Sequence, residues 1–107
     1  MGRRKGAGAI PRNPFDPCDG PIDSFLDLHG ATSIDVGHRL KSFLETAVRR
    51  TPGGLVHIIT GRGRGSVGGP VVKPAVKRLL TGELARLVRG MERDENDGGF
   101  LVRLTLR

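Results

Sequence analysis

The sequence predicts an α/β fold, a two-layer sandwich in the order βαβαββ, with a four-stranded mixed sheet and two helices. Three observations point there. Two stretches repeat apolar residues at helical spacing, running from Val36 to Val48 and from Val72 to Leu80. Short strand-like runs precede both, and a last alternating run closes the chain after a turn cluster. At 107 residues there is room for one core and one domain.

Residues 1–22 hold Pro11, Pro14, Pro17 and Pro21 among glycines and basic residues, with no periodicity. They read as a flexible basic Pro/Gly-rich arm ahead of a domain at residues 23–107. Residues 24–29 have strand character ended by Gly30, and alternation places Leu26 and Leu28 on one face and Phe25, Asp27 and His29 on the other. Asp27 and His29 would then stand roughly 6 to 7 Å apart at the backbone, at the strand's carboxyl end.

Thr32, three residues before Asp35, marks a helix start of the capping-box kind. Val36, Leu40, Phe43, Leu44, Ala47 and Val48 form its apolar stripe, and Pro52-Gly53-Gly54 stops it. Residues 55–59 are a β-branched, nearly continuous apolar run, as in a covered strand. Val72, Ala75, Val76, Leu79 and Leu80 define the second helix, which must begin near Pro74 because proline is tolerated only in a first turn. Residues 85–92 and 100–106 flank the turn cluster Asp94-Glu95-Asn96-Asp97-Gly98-Gly99 and read as a hairpin. Strands joined through helices should run parallel with right-handed crossovers, and the hairpin antiparallel. Both helices could then cover one sheet face.

Eighteen Lys+Arg against eleven Asp+Glu give a formal charge of +7 and a pI near 11.0, which suits a polyanionic partner. DNA or RNA leads that class. An anionic membrane surface, a ribosome-like assembly or a plain solubility surface would carry the same charge. One cysteine, Cys18, excludes an internal disulfide framework and fits a reducing, cytoplasmic setting. No apolar run reaches membrane-spanning length, and the N-terminal residues lack a signal core, so no membrane segment is expected.

Ligands of parallel α/β sheets gather at the carboxyl ends of strands. Here those ends carry Asp27-Leu28-His29-Gly30 and the loop Thr60-Gly61-Arg62-Gly63-Arg64-Gly65-Ser66. Glycines open the backbone to conformations in which successive N–H groups hold an anion, and Arg62 and Arg64 add positive charge. Asp27 and His29 could form a base with its orienting carboxylate or donate two ligands to a divalent metal such as Mg or Mn. They could also be structural, with Asp27 capping the helix that follows and His29 bonding a backbone carbonyl. His57, among aliphatics in mid-strand, reads as a satisfied core histidine or a support behind the reacting groups, and His38 as surface. Gly63 to Gly68 satisfy GxGxxG, but the domain lacks the length for a dinucleotide fold, and no Walker A sequence is present. With no Tyr or Trp, and with Phe25, Phe43 and Phe100 read as core, no base-stacking platform is expected.

Leu26-Asp27-Leu28-His29-Gly30, His57-Ile58-Ile59-Thr60-Gly61-Arg62-Gly63, Val72-Lys73-Pro74-Ala75-Val76 and Gly98-Gly99 before a strand together resemble the Smr (small MutS-related) domain, over about residues 23–107. The resemblance implies a two-layer sandwich similar to the C-terminal domain of translation initiation factor three. It also implies a DNA or RNA endonuclease, often nicking and of low sequence specificity, although some members only bind. The family's Asp and His fall on Asp27 and His29 as catalytic residues, and its Gly-x-Gly loop on Gly61-Arg62-Gly63. Arg64, Ser66 and Lys73 join the expected phosphate-binding set, with Thr60 and His57 in support. Two departures stand out: Gly65 precedes Ser66 where the family often has histidine, and Gly98-Gly99-Phe100-Leu101-Val102 replaces its GGxGAT-like segment. The competing expectations are a binding module without catalysis and a ribosome-associated docking domain.

Overall fold

β1 (Ser24–Asp27) opens the domain, followed by α1 (Ser33–Arg50), β2 (Leu55–Ile59), α2 (Val72–Thr81), β3 (Val88–Arg93) and β4 (Gly99–Leu104). The structure, a computed structural model, describes Cys18 and residues 20–61, 71–95 and 97–106. The strands form one mixed sheet in the order β1-β2-β4-β3. β1 runs parallel to β2, while β4 is antiparallel to both β2 and β3. The expected α/β order and four-stranded mixed sheet are therefore present.

α1 starts where its cap requires. The Thr32 hydroxyl accepts the Asp35 N–H at 3.1 Å, an interaction worth about 1 kcal/mol at a helix start. Its stripe, Val36, Leu40, Leu44, Ala47 and Val48, is buried. At the other end the N–H and hydroxyl of Thr51 both donate to the Ala47 carbonyl, at 2.8 and 3.1 Å. In α2, Pro74 lies in the first turn, where its missing N–H costs nothing, and Val72, Ala75, Val76 and Leu80 are buried. The two helices share one sheet face. There they enclose Val56 and Ile58 of β2 with Phe100, Val102 and Leu104 of β4.

Among the described residues the opposite face is covered in one place. Leu55 and Leu101 are buried there with Cys18, whose thiol lies 3.7 Å from the Leu101 carbonyl.

Three expectations change. The first strand ends at Asp27, because the chain turns through Gly30 at φ +78 and the Ala31 N–H closes back on the Leu28 carbonyl. Before β3 the chain makes a 3-10 turn, Ala85–Leu87, which sinks Leu84 and Leu87 into the core, so the strand begins at Val88 and carries a bulge between Val88 and Gly90. Phe43 and Phe100 pack as expected, but Phe25 is 60% exposed, because β1 is an edge strand and Phe25 lies on the face away from the helices. No helix among the described residues is long and apolar enough to cross a membrane.

Candidate nucleic-acid interface

Because β1 and β2 are parallel, their carboxyl ends meet at one edge of the sheet, and the register pairs Asp27 with Ile59. The ladder runs one bond further, from the Leu28 N–H to the Ile59 carbonyl at 2.7 Å, and the Leu28 side chain is fully buried. Leu28 thus anchors a tight turn whose two polar neighbours face solvent.

Across that turn the Asp27 carboxylate folds back over His29. Its Oδ1 accepts the His29 backbone N–H at 3.1 Å and lies 2.7 Å from the ring Nδ1. These contacts hold the Asp27 carboxyl below the usual aspartate range: the ring hydrogen bond acts most, then the backbone one, with the charges of His29 and Arg39 adding to them against a small desolvation. An ionised carboxylate can only accept, so neutral His29 carries its proton on Nδ1 and keeps the Nε2 lone pair unprotonated. The imidazole is 72% exposed. Arg39, reaching from α1, donates to the Asp27 carbonyl at 2.9 Å and fixes the turn from the helix side.

The end of β2 is tied to the turn before β4. The N–H groups of Thr60 and Gly61 both donate to the Gly98 carbonyl, at 2.8 and 3.0 Å, and the buried Thr60 hydroxyl lies 3.2 Å from the same oxygen. Gly61 has φ +82, and a Cβ there would come within 3.4 Å of the His29 Cβ. The start of the glycine-arginine loop therefore lies directly against the catalytic candidate.

Asp94 holds the turn in turn. Its Oδ1 accepts the Gly98 N–H at 2.8 Å, and its Oδ2 lies 2.8 Å from His57 Nε2. Asp97, in a left-handed conformation at φ 58, binds Lys73 through both its carbonyl and its carboxylate, the latter at 3.1 Å.

Of the expected site residues, Asp27, His29 and Gly61 come together. His57 bonds Asp94, the Thr60 hydroxyl reaches the Gly98 carbonyl, and the Lys73 ammonium is engaged by Asp97. Arg62, Gly63, Arg64 and Ser66 lie outside the described residues. Arg39, Asp94 and Asp97 escaped the sequence reading. A right-handed crossover carries the start of α1 past the end of β1, so a basic residue on the polar flank of its second turn was the available signal for Arg39. As metal donors, Asp27 and His29 already bond each other, and no group of three His, Cys, Asp or Glu suited to a metal occurs among the described residues. The pair alone does not compose a metal cage, and the roles assigned below rest on protein groups.

The Smr domain family model matches residues 26–105. Among solved structures, the chain is similar to the crystal structure of the Smr domain of Thermus thermophilus MutS2, with a TM-score of 0.59 and 20% identity, covering 76% of this chain and 96% of that one. At that identity the likeness shows the fold. No curated protein matches. Smr domains are nuclease-related nucleic-acid-binding domains, and with a match spanning most of its length the chain belongs to the Smr domain family.

Proposed function

We propose that this Smr domain binds DNA or RNA by its phosphate backbone and hydrolyses a phosphodiester bond, with His29 as the general base and Asp27 as the group that orients it. The observation that carries the proposal is the 2.7 Å contact between Asp27 Oδ1 and His29 Nδ1 beside an exposed imidazole. A base must present a lone pair to its proton donor, and the carboxylate sets the tautomer that leaves Nε2 open. His29 Nε2 takes a proton from a water as its oxygen attacks phosphorus. The bond to the leaving oxygen breaks, and that oxygen is protonated by the imidazolium or by solvent. The ionised Asp27 stabilises the imidazolium in between.

Positive charge must offset the phosphoryl oxygens as the bond order changes. Arg62 and Arg64 take that role on sequence grounds, with the loop amides that follow Gly61, whose own N–H is held by the Gly98 carbonyl. A cytoplasmic setting belongs to the same proposal.

The test is incubation with labelled supercoiled plasmid and structured RNA, each with EDTA, Mg²⁺ or Mn²⁺. His29→Ala and Asp27→Ala are expected to lose about a hundredfold or more in cleavage, while affinity stays within about threefold. Unchanged cleavage in the double variant would remove the dyad. Binding without cleavage by the wild-type protein would leave a binding module.

A further inference from the structure

Phe25 is the one aromatic residue among the large apolar side chains exposed in the described residues, at 60%. It stands two positions before Asp27 on β1, and strand alternation puts the two on the same face, about 6 to 7 Å apart along the backbone. That face points away from the helices. The in-register neighbour of Phe25 is His57, whose ring is turned to Asp94, and β1 is an edge strand of the sheet. An aromatic ring therefore lies open to solvent one strand repeat from Asp27, the carboxylate proposed to orient the base.

The chemistry around it selects the occupant. A chain of charge +7 suits a polyanionic partner, and of the parts of a nucleic acid only the base offers a flat, weakly polar face. Stacking a base on an aromatic ring is favourable and tolerant of sequence, because every base has a π face. A base inside a duplex already has both faces covered by its neighbours, so the ring can be used only by an unpaired or splayed-out nucleotide.

We propose that Phe25 stacks on an unpaired base of the nucleotide next to the phosphate attacked in front of His29, which makes single-stranded segments and loops the preferred substrate of this site. The inference rests on the backbone-binding function proposed above.

The protein contains no tryptophan, so Phe25→Trp introduces its single indole as a reporter. In a His29→Ala background, that variant and Phe25→Ala would be titrated with a single-stranded oligonucleotide and with its duplex. Supporting results are quenching of the indole by the single strand and a loss of about fivefold or more in single-strand affinity for Phe25→Ala, with duplex affinity unchanged. Phe25→Leu, which keeps apolar area without a π face, should fall on the side of alanine. Equal single-strand affinity for Phe25→Ala and the parent overturns the proposal. So does an indole signal that ignores oligonucleotide and changes with protein concentration, which would make a second copy of the chain the occupant. Absence of any nucleic-acid binding sinks both this proposal and the function beneath it. Loss of single-strand affinity in Phe25→Ala, with cleavage insensitive to His29, removes only the dyad and supports the stacking.

Discussion

The Asp94 carboxylate bridges two elements: Oδ2 lies 2.8 Å from His57 Nε2, and Oδ1 holds the Gly98 N–H at 2.8 Å. Its side chain is 14% exposed, so both contacts are made largely out of water. Through Gly98 the same carboxylate braces Thr60 and Gly61, and Gly61 abuts His29. Asp94→Ala leaves a backbone N–H and an imidazole N–H without their acceptor. It is expected to destabilise the fold by about 1–3 kcal/mol in urea denaturation and to weaken cleavage as well, whereas His57→Ala should cost less, since Asp94 keeps Gly98.

Asp27 is expected to titrate below the free-aspartate value of about 3.9. Because its carboxyl is held low in the folded protein, the ionised form favours folding. That contribution is complete above the unfolded value and disappears as the pH falls through the folded one. A carbon-detected NMR titration of the Asp27 carboxyl should therefore have its midpoint below about 3.9, and His29→Ala, removing the largest cause, should move it upward. A midpoint at or above the ordinary value in the wild type would show that the turn does not hold the carboxylate in solution.

Adjacent glycines should behave in opposite ways. A Cβ on Gly99 would lie 2.1 Å from the Ile58 carbonyl oxygen, backbone against backbone, so Gly99→Ala must push β2 and β4 apart. A loss of about 1–3 kcal/mol is expected, read as a lowered melting temperature. At Gly98 a Cβ meets nothing within 4 Å, and Gly98→Ala should melt close to the wild type.

Lys73 and the loop arginines can be separated by salt. The Lys73 ammonium is bound to Asp97, so Lys73→Ala is expected to loosen the turn while leaving the salt dependence of nucleic-acid binding unchanged. Arg64→Ala should reduce the slope of log affinity against log salt by about 1 if its guanidinium contacts a phosphate. A reduced slope for Lys73→Ala would place its ammonium on the nucleic acid.

Much of this architecture was legible because it is local. The stripe from Val36 to Val48, the cap at Thr32 and the stop at Pro52-Gly53 each act within a few residues, and α1 runs between them. The pair Asp27 and His29 was legible as residue types at a strand end, but its geometry was not: alternation on a continuing strand keeps the two apart, whereas the turn at Gly30 brings carboxylate and ring together. Asp94, at the end of β3, reaches His57 of β2 across the intervening β4, and no periodicity encodes that strand order. The same gap accounts for Phe25, read as core from its apolarity and exposed because β1 lies at the edge.

β1 contributes four residues, and among the described residues β2 is its sole partner in the sheet, whereas β2 and β4 are each paired on both sides. Amides of such a strand open by local fluctuations well below the free energy of global unfolding, so in hydrogen exchange β1 should exchange before the central pair. The groups proposed to cut nucleic acid thus ride at the end of a short edge strand that should open before the central pair. Mild denaturant should silence the domain while β2 and β4 still protect their amides, and inactivation would precede unfolding.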